Sequence, residues 1–153
     1  MIKLPKPHSW DLCMMEQAVG FSKMSKDPSS KVGCVIVSPD KTRITGGYNG
    51  FPPEIPDYAD WWNNRDEENG KFTKYDLILH AEVNAILQAK TDLKGWTMYV
   101  TRHPCLECCK WIIKTGIDRI VYLDRSTVMD LKTEKGDAMF KIAGISIEKL
   151  ELD

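Results

Sequence analysis

The spacing of apolar residues changes along the chain, and each change marks an element. Leu12, Met15, Val19 and Ser22 or Met24 recur at helical spacing. Ser9 stands before them as an N-cap and Asp11 falls in the first turn, which predicts a helix over residues 10–25. Asp27-Pro28-Ser29-Ser30 reads as a turn. Residues 32–38 form an apolar, β-branched run and residues 43–48 a second strand, so the two make a hairpin around Pro39-Asp40-Lys41. Asn49-Gly50-Phe51-Pro52-Pro53 closes it. Further on, the pattern predicts a helix over 80–91, a strand over 97–101, and a helix over 104–115 that Gly116 terminates. A strand over 119–123, a helix over 131–143 closed by Gly144, and a last strand over 145–150 complete the order.

Residues 50–76 have no clear period, with a short helix over 59–68 the one element expected there. The adjacent Trp61 and Trp62 read either as core beneath this loop or as a subunit interface. Counting the long elements, the order is α-β-β-α-β-α-β-α-β. Such alternation predicts a three-layer α/β/α fold on a five-stranded mixed sheet, its last two strands parallel through a right-handed crossover. A length of 153 residues suits one domain over residues 1–153.

Composition narrows the class. Hydrophobic content of 42% and charged content of 28% are those of an ordinary globular protein. A net charge of −1 argues against a long nucleic-acid footprint. No run of about eighteen apolar residues points to a membrane, and no leader pattern is visible, so a cytoplasmic location is expected. Five cysteines, three of them in one short run, suit a reducing compartment and metal binding better than a disulfide framework.

Two short motifs carry chemistry. His80-Ala81-Glu82 opens one predicted helix, and Pro104-Cys105-Leu106-Glu107-Cys108 opens the next about twenty residues later. H-x-E followed by P-C-x-x-C is the signature of zinc nucleobase deaminases. Catalytic zinc takes three protein ligands and keeps a fourth position for water; His80, Cys105 and Cys108 would supply one nitrogen and two sulfurs. Cys105 and Cys108 are three apart and share a helix face. Pro104 suits the first helical position, and the positive helix N-terminus favours thiolate. First-turn side chains lean toward the N-terminus, so His80 and Glu82 both reach a point just beyond the helix end. Glu82 is then the expected proton shuttle. The competing reading makes His80 a satisfied buried histidine and the cysteines small core residues. A closed structural site wants a fourth ligand, and the neighbours are Cys109 and His103. Cys109 reads as core; His103 either lines the cleft or faces solvent. Cys13 reads as packing and His8 as surface.

SSKVG (residues 29–33), GYNGFP (47–52), HAEVNAI (80–86), PCLECC (104–109) and GIDRIVY (116–122) occur in this order. Together they resemble the deoxycytidylate (dCMP) deaminase family of the cytidine deaminase-like superfamily. The resemblance implies hydrolysis of dCMP to dUMP and ammonia, which feeds thymidylate synthesis. It implies one catalytic Zn²⁺ per subunit on His80, Cys105 and Cys108, with Glu82 as catalytic residue. It places Asn49 against the deoxyribose, Lys31 near the 5′-phosphate, and Tyr122 and Ala81 at the substrate pocket. It further implies activation by dCTP and inhibition by dTTP around Asn49 and Gly50, Mg²⁺ accompanying the triphosphate effector, and a homo-oligomer, a hexamer before a dimer. Some members hold a second zinc in the region matching residues 53–79; this stretch has no Cys or His, so none is expected here. From the residues alone, the alternative readings make Asn49 a turn residue, Lys31 a solvated charge and Tyr122 a core residue. Two other functions fit the motifs less well: deamination of tRNA adenosine, cytidine or cytosine, and a non-catalytic nucleotide-binding protein with zinc.

Overall fold

The computed structural model describes residues 1–124 and 131–152. Strand β1 (Gly33–Val37), interior to the sheet, is buried at every position. A strand apolar throughout suits a place covered on both faces. β1 pairs antiparallel with β2 (Ile44–Tyr48) and with β3 (Thr97–Arg102). β3 runs parallel to β4 (Arg119–Asp124), and β4 parallel to β5 (Ser146–Lys149). The sheet is therefore mixed, in the order β2-β1-β3-β4-β5, with its last two strands parallel as the alternation predicts. The helices among the described residues are α1 (Trp10–Ser22), α2 (Ala59–Asn63), α3 (Lys74–Leu77), α4 (Ala81–Ala89), α5 (Leu106–Thr115) and α6 (Leu131–Ile142).

Successive strand residues point to opposite faces, which sorts the core into two layers. Val35, Val37, Tyr99 and Val121 meet Met14, Met15 and Ala18 of α1. Cys34, Ile36, Met98, Val100, Ile120 and Tyr122 face the other way, onto Ala81 and Ala85 of α4, Cys108, Cys109 and Ile112 of α5, and Phe140 of α6. Cys109 is thus core, as its helix position suggests. Two glycines let helices touch the sheet directly. A Cβ on Gly33 would lie 1.8 Å from the Ala18 carbonyl oxygen, and one on Gly47 would lie 2.5 Å from Ala85 N and 2.7 Å from Ala81 O. Only glycine allows α4 to rest on β2 at that height.

Several boundaries differ from the sequence pattern. α1 stops at Ser22, because the N–H groups of Lys23, Met24 and Ser25 turn to carbonyls three residues back and tighten the end of the helix. Its buried face is Met14, Met15 and Ala18, with Met24 exposed; the Ala18–Gly33 contact sets this rotation. The single helix expected over 59–68 is broken. Asn64 leaves α2 with extended backbone, a 3-10 turn covers Glu67–Asn69, and α3 follows with a Thr73–Asp76 capping box. Trp62 is buried, stacked on Phe51 at 3.9 Å with its indole N–H donated to Asp57, so it is core beneath this loop. Trp61, half-buried, packs edge-on against Tyr58 and Phe72. Cys13 is half-buried against the α1 layer. His8 is exposed and reaches Glu16 at 3.3 Å. Among the described residues, no helix is long and apolar enough to cross a membrane.

Candidate active site

Gly50 and Leu79 exchange two backbone hydrogen bonds, of 3.1 and 2.8 Å, in an isolated bridge. The bridge holds the chain one residue before His80. His80 keeps extended backbone (φ −71°, ψ 155°) and is the N-cap of α4, with Glu82 in the first turn. Cys105 holds the same position at α5, so Pro104 precedes the cap instead of opening the helix. The reason is local: the Cys105 sulfur accepts the Cys108 N–H at 3.5 Å, the capping bond that keeps Cys105 outside the first turn. Both helix N-termini meet at the carboxyl end of β3.

His80 Nδ1 lies 3.4 Å from Cys105 Sγ and 3.3 Å from Cys108 Sγ, and the three donor atoms are within 4.8 Å of one another. Tetrahedral zinc with its usual bond lengths separates a sulfur and a nitrogen ligand by about 3.6 Å. The donor set and its spacing therefore fit zinc, with His80, Cys105 and Cys108 as ligands. The electrostatics favour a ligating thiolate. The hydrogen bond from the Cys108 thiol, helped by His80, brings Cys105 down to about 4, while that same bond and burial push Cys108 up. The Cys105 sulfur also holds the His80 imidazole above its usual range. Glu82 is buried, 3.6 Å from Cys108 Sγ, and burial raises its carboxyl above the usual carboxylate range. A carboxyl so placed holds a proton more readily than an exposed one, as a proton shuttle requires.

These residues open on a cavity of about 230 Å³ that Ala81, Asn49 and His103 also line. The opposite wall is a buried polar network. Asp27 and Lys74 form an ion pair of 2.7 Å, both almost wholly buried. Asp27 also accepts the backbone N–H groups of Ser29 and Ser30, at 2.8 and 3.2 Å. Burial raises its carboxyl, but the Lys74 bond and these N–H groups outweigh that, and it lies below the ordinary value. Asn49 closes the network: Nδ2 donates to Asp27 and to the Ser30 carbonyl, and Oδ1 accepts the Val32 N–H. At the rim, Arg102 donates to Ser30 Oγ at 2.7 Å.

His80, Glu82, Cys105, Asn49 and Ala81 share the cavity, and Cys108 stands behind His80 and Glu82. Gly50 contributes through its bridge to Leu79. Two expected residues lie elsewhere. Lys31 is exposed and donates to the Ser25 carbonyl at 2.8 Å, outside the lining. Tyr122 is buried behind His103, edge-on at 5.0 Å. His103 lines the cavity, with Nε2 2.6 Å from Asp137 of α6. Sequence reasoning missed Asp27, Lys74 and Arg102. Asp27 begins a D-P-S-S turn, and the TKYD capping box around Lys74 was a readable helix start.

A family model for the cytidine and deoxycytidylate deaminase zinc-binding region matches residues 8–124. Deoxycytidylate deaminase of Mus musculus is 38% identical over 141 residues, covering 92% of this chain and 79% of its own. An uncharacterised deaminase of Aliivibrio fischeri is 38% identical over 149 residues, covering 94% and 95%. Among solved structures, the dCMP deaminase of cyanophage S-TIM5 in complex with dCMP and dUMP superposes with a TM-score of 0.70 at 25% identity, covering 91% of this chain and 95% of that one. With the motifs, the sheet order and the His-Cys-Cys cluster in agreement, the chain belongs to the cytidine and deoxycytidylate deaminase family, in its deoxycytidylate deaminase group.

Proposed function

We propose that the protein hydrolyses dCMP to dUMP and ammonia. The observation that carries this reading is a buried Glu82 beside the His80, Cys105 and Cys108 donors, opening on the same cavity as Asn49. When bound, zinc supplies Lewis acidity that brings the pKa of water to roughly 7. Glu82 would take one proton from the attacking water and place it on the ring nitrogen of cytosine, then take the second from the newly added hydroxyl and deliver it to the departing amine. Water adds to the carbon bearing the amino group, the C–N bond breaks, and the products are dUMP and ammonia. Burial raises the Glu82 carboxyl above the usual carboxylate range, which favours its holding the proton between the two transfers. Asn49 anchors the turn that faces the sugar, since its own side chain is fully engaged with Asp27, Ser30 and Val32.

The zinc-loaded protein incubated with dCMP should release ammonia and dUMP in equal amounts. No turnover of dCMP alongside clear turnover of another cytosine compound would overturn the reading. Regulation by dCTP with Mg²⁺ and by dTTP rests on the GYNGFP motif, and repeating the assay with each effector tests it: an unchanged rate in both refutes it.

A further inference from the structure

A nucleoside monophosphate differs from its nucleoside by a dianion, and some group must meet that charge. Four side chains that can carry positive charge line the cavity: His80, His103, Lys74 and Arg102. His80 lies between the two sulfurs, and His103 is 2.6 Å from Asp137. Lys74 is locked at 2.7 Å to the buried carboxylate of Asp27, which cancels it. Arg102 is different. Among the described residues it makes one side-chain hydrogen bond, from Nη1 to Ser30 Oγ, and no ion pair. A guanidinium has five N–H donors, so most of its donors remain available.

Ser30 completes the arrangement. Its hydroxyl oxygen accepts from Arg102, which leaves the hydroxyl hydrogen free to donate into the cavity. The turn carrying it is held by Asp27 and Asn49, so the hydroxyl is positioned before any ligand arrives. One residue earlier, Arg65 bonds the Ser29 hydroxyl and adds positive charge to the same turn. The planar Arg fork matches two oxygens of a phosphate, and Arg102 stands three residues from Cys105, so this cluster and the reacting end share one cavity. Lys31, by contrast, is spent on the Ser25 carbonyl.

We propose that Arg102, with the Ser30 hydroxyl, binds the 5′-phosphate and sets the preference for a nucleoside monophosphate over the nucleoside. The inference rests on the deaminase reading of this cavity. The test compares zinc-loaded wild type, Arg102→Ala, Arg102→Lys and Lys31→Ala. It measures kcat/KM on dCMP and on deoxycytidine, and calorimetric binding of dUMP and deoxyuridine. Arg102 is exposed and makes one side-chain hydrogen bond, to Ser30, so the alanine variant should melt close to wild type. It should lose roughly 10- to 100-fold in kcat/KM for dCMP and a similar factor in dUMP binding. Deoxycytidine and deoxyuridine should change by less than about twofold, Arg102→Lys should recover part of the loss, and Lys31→Ala should leave dCMP nearly unchanged. Equal losses on nucleotide and nucleoside, or a loss carried by Lys31→Ala instead, would overturn the assignment. If wild type deaminates neither compound yet binds dUMP in an Arg102-dependent way, the deaminase reading falls and the phosphate assignment stands. If wild type binds no dUMP, both fall.

Discussion

Gly47→Ala tests how the catalytic geometry is held. The new methyl would sit 2.5 Å from Ala85 N and 2.7 Å from Ala81 O, where ordinary contact begins near 3.4 Å. Helix α4 and strand β2 must therefore separate by about 0.9 Å, and backbone atoms cannot swing aside as a side chain can. Whichever element yields, the site is disturbed. If α4 moves, it carries His80 and Glu82 away from Cys105 and Cys108, which belong to α5. If β2 moves, it carries Asn49, two residues beyond Gly47, and the Gly50–Leu79 bridge. Overpacking of this kind costs about 1–3 kcal/mol, each kcal/mol worth roughly 2–4 °C of melting temperature at this size. A displacement near 1 Å in an assembled site costs roughly 100-fold in rate. The assay is kcat on dCMP beside zinc content and thermal melting, with Gly20→Ala as comparison. Gly20 has open space around it in α1, so that variant should keep full activity and gain up to about 1 kcal/mol. Wild-type kcat in Gly47→Ala would refute the claim that the α4–β2 contact positions the site.

Two further outcomes follow from the charge networks. Lys74→Met leaves the Asp27 carboxylate buried without its partner and should cost about 3–5 kcal/mol in urea unfolding, with much of that recovered in the Asp27→Asn, Lys74→Met double variant; additive losses would contradict the pairing. Asp11 is held below its ordinary value of 3.8, first by the Arg119 hydrogen bond, so the stability it contributes is present above that value and fades as pH falls through the folded pKa. The melting-temperature gap between wild type and Asp11→Asn should therefore be widest near neutrality and close below about pH 4; a gap that grows with acidity would reverse the sign.

What could be read from the residues follows how local each cause is. The strand run of β1, the Gly116 and Gly144 terminators and the H-A-E and P-C-x-x-C motifs act within a few residues, and they stand where the pattern puts them. Lys31 was harder. Its neighbour Ser30 faces the cavity while Lys31 turns to Ser25, and the turn built by Asp27 decides between them. Arg102 and Lys74 take their roles from partners 72 and 47 residues away in sequence, Ser30 and Asp27, which no period along the chain discloses. The loop over residues 53–79 is likewise ordered by the Phe51–Trp62 stack and by Asn64, whose amide reaches the Phe72 carbonyl. Such contacts depend on shape rather than on spacing.

The most direct test of the account is turnover of dCMP by Glu82→Gln at measured zinc content. In the proposed mechanism Glu82 accepts and donates the proton, and it is not among the three metal donors. The variant and wild type should each hold about one zinc per chain, and the variant should lose roughly 100- to 10,000-fold in kcat. Turnover within tenfold of wild type at full zinc would contradict the assignment of Glu82 and, with it, the hydrolytic mechanism proposed for this cavity.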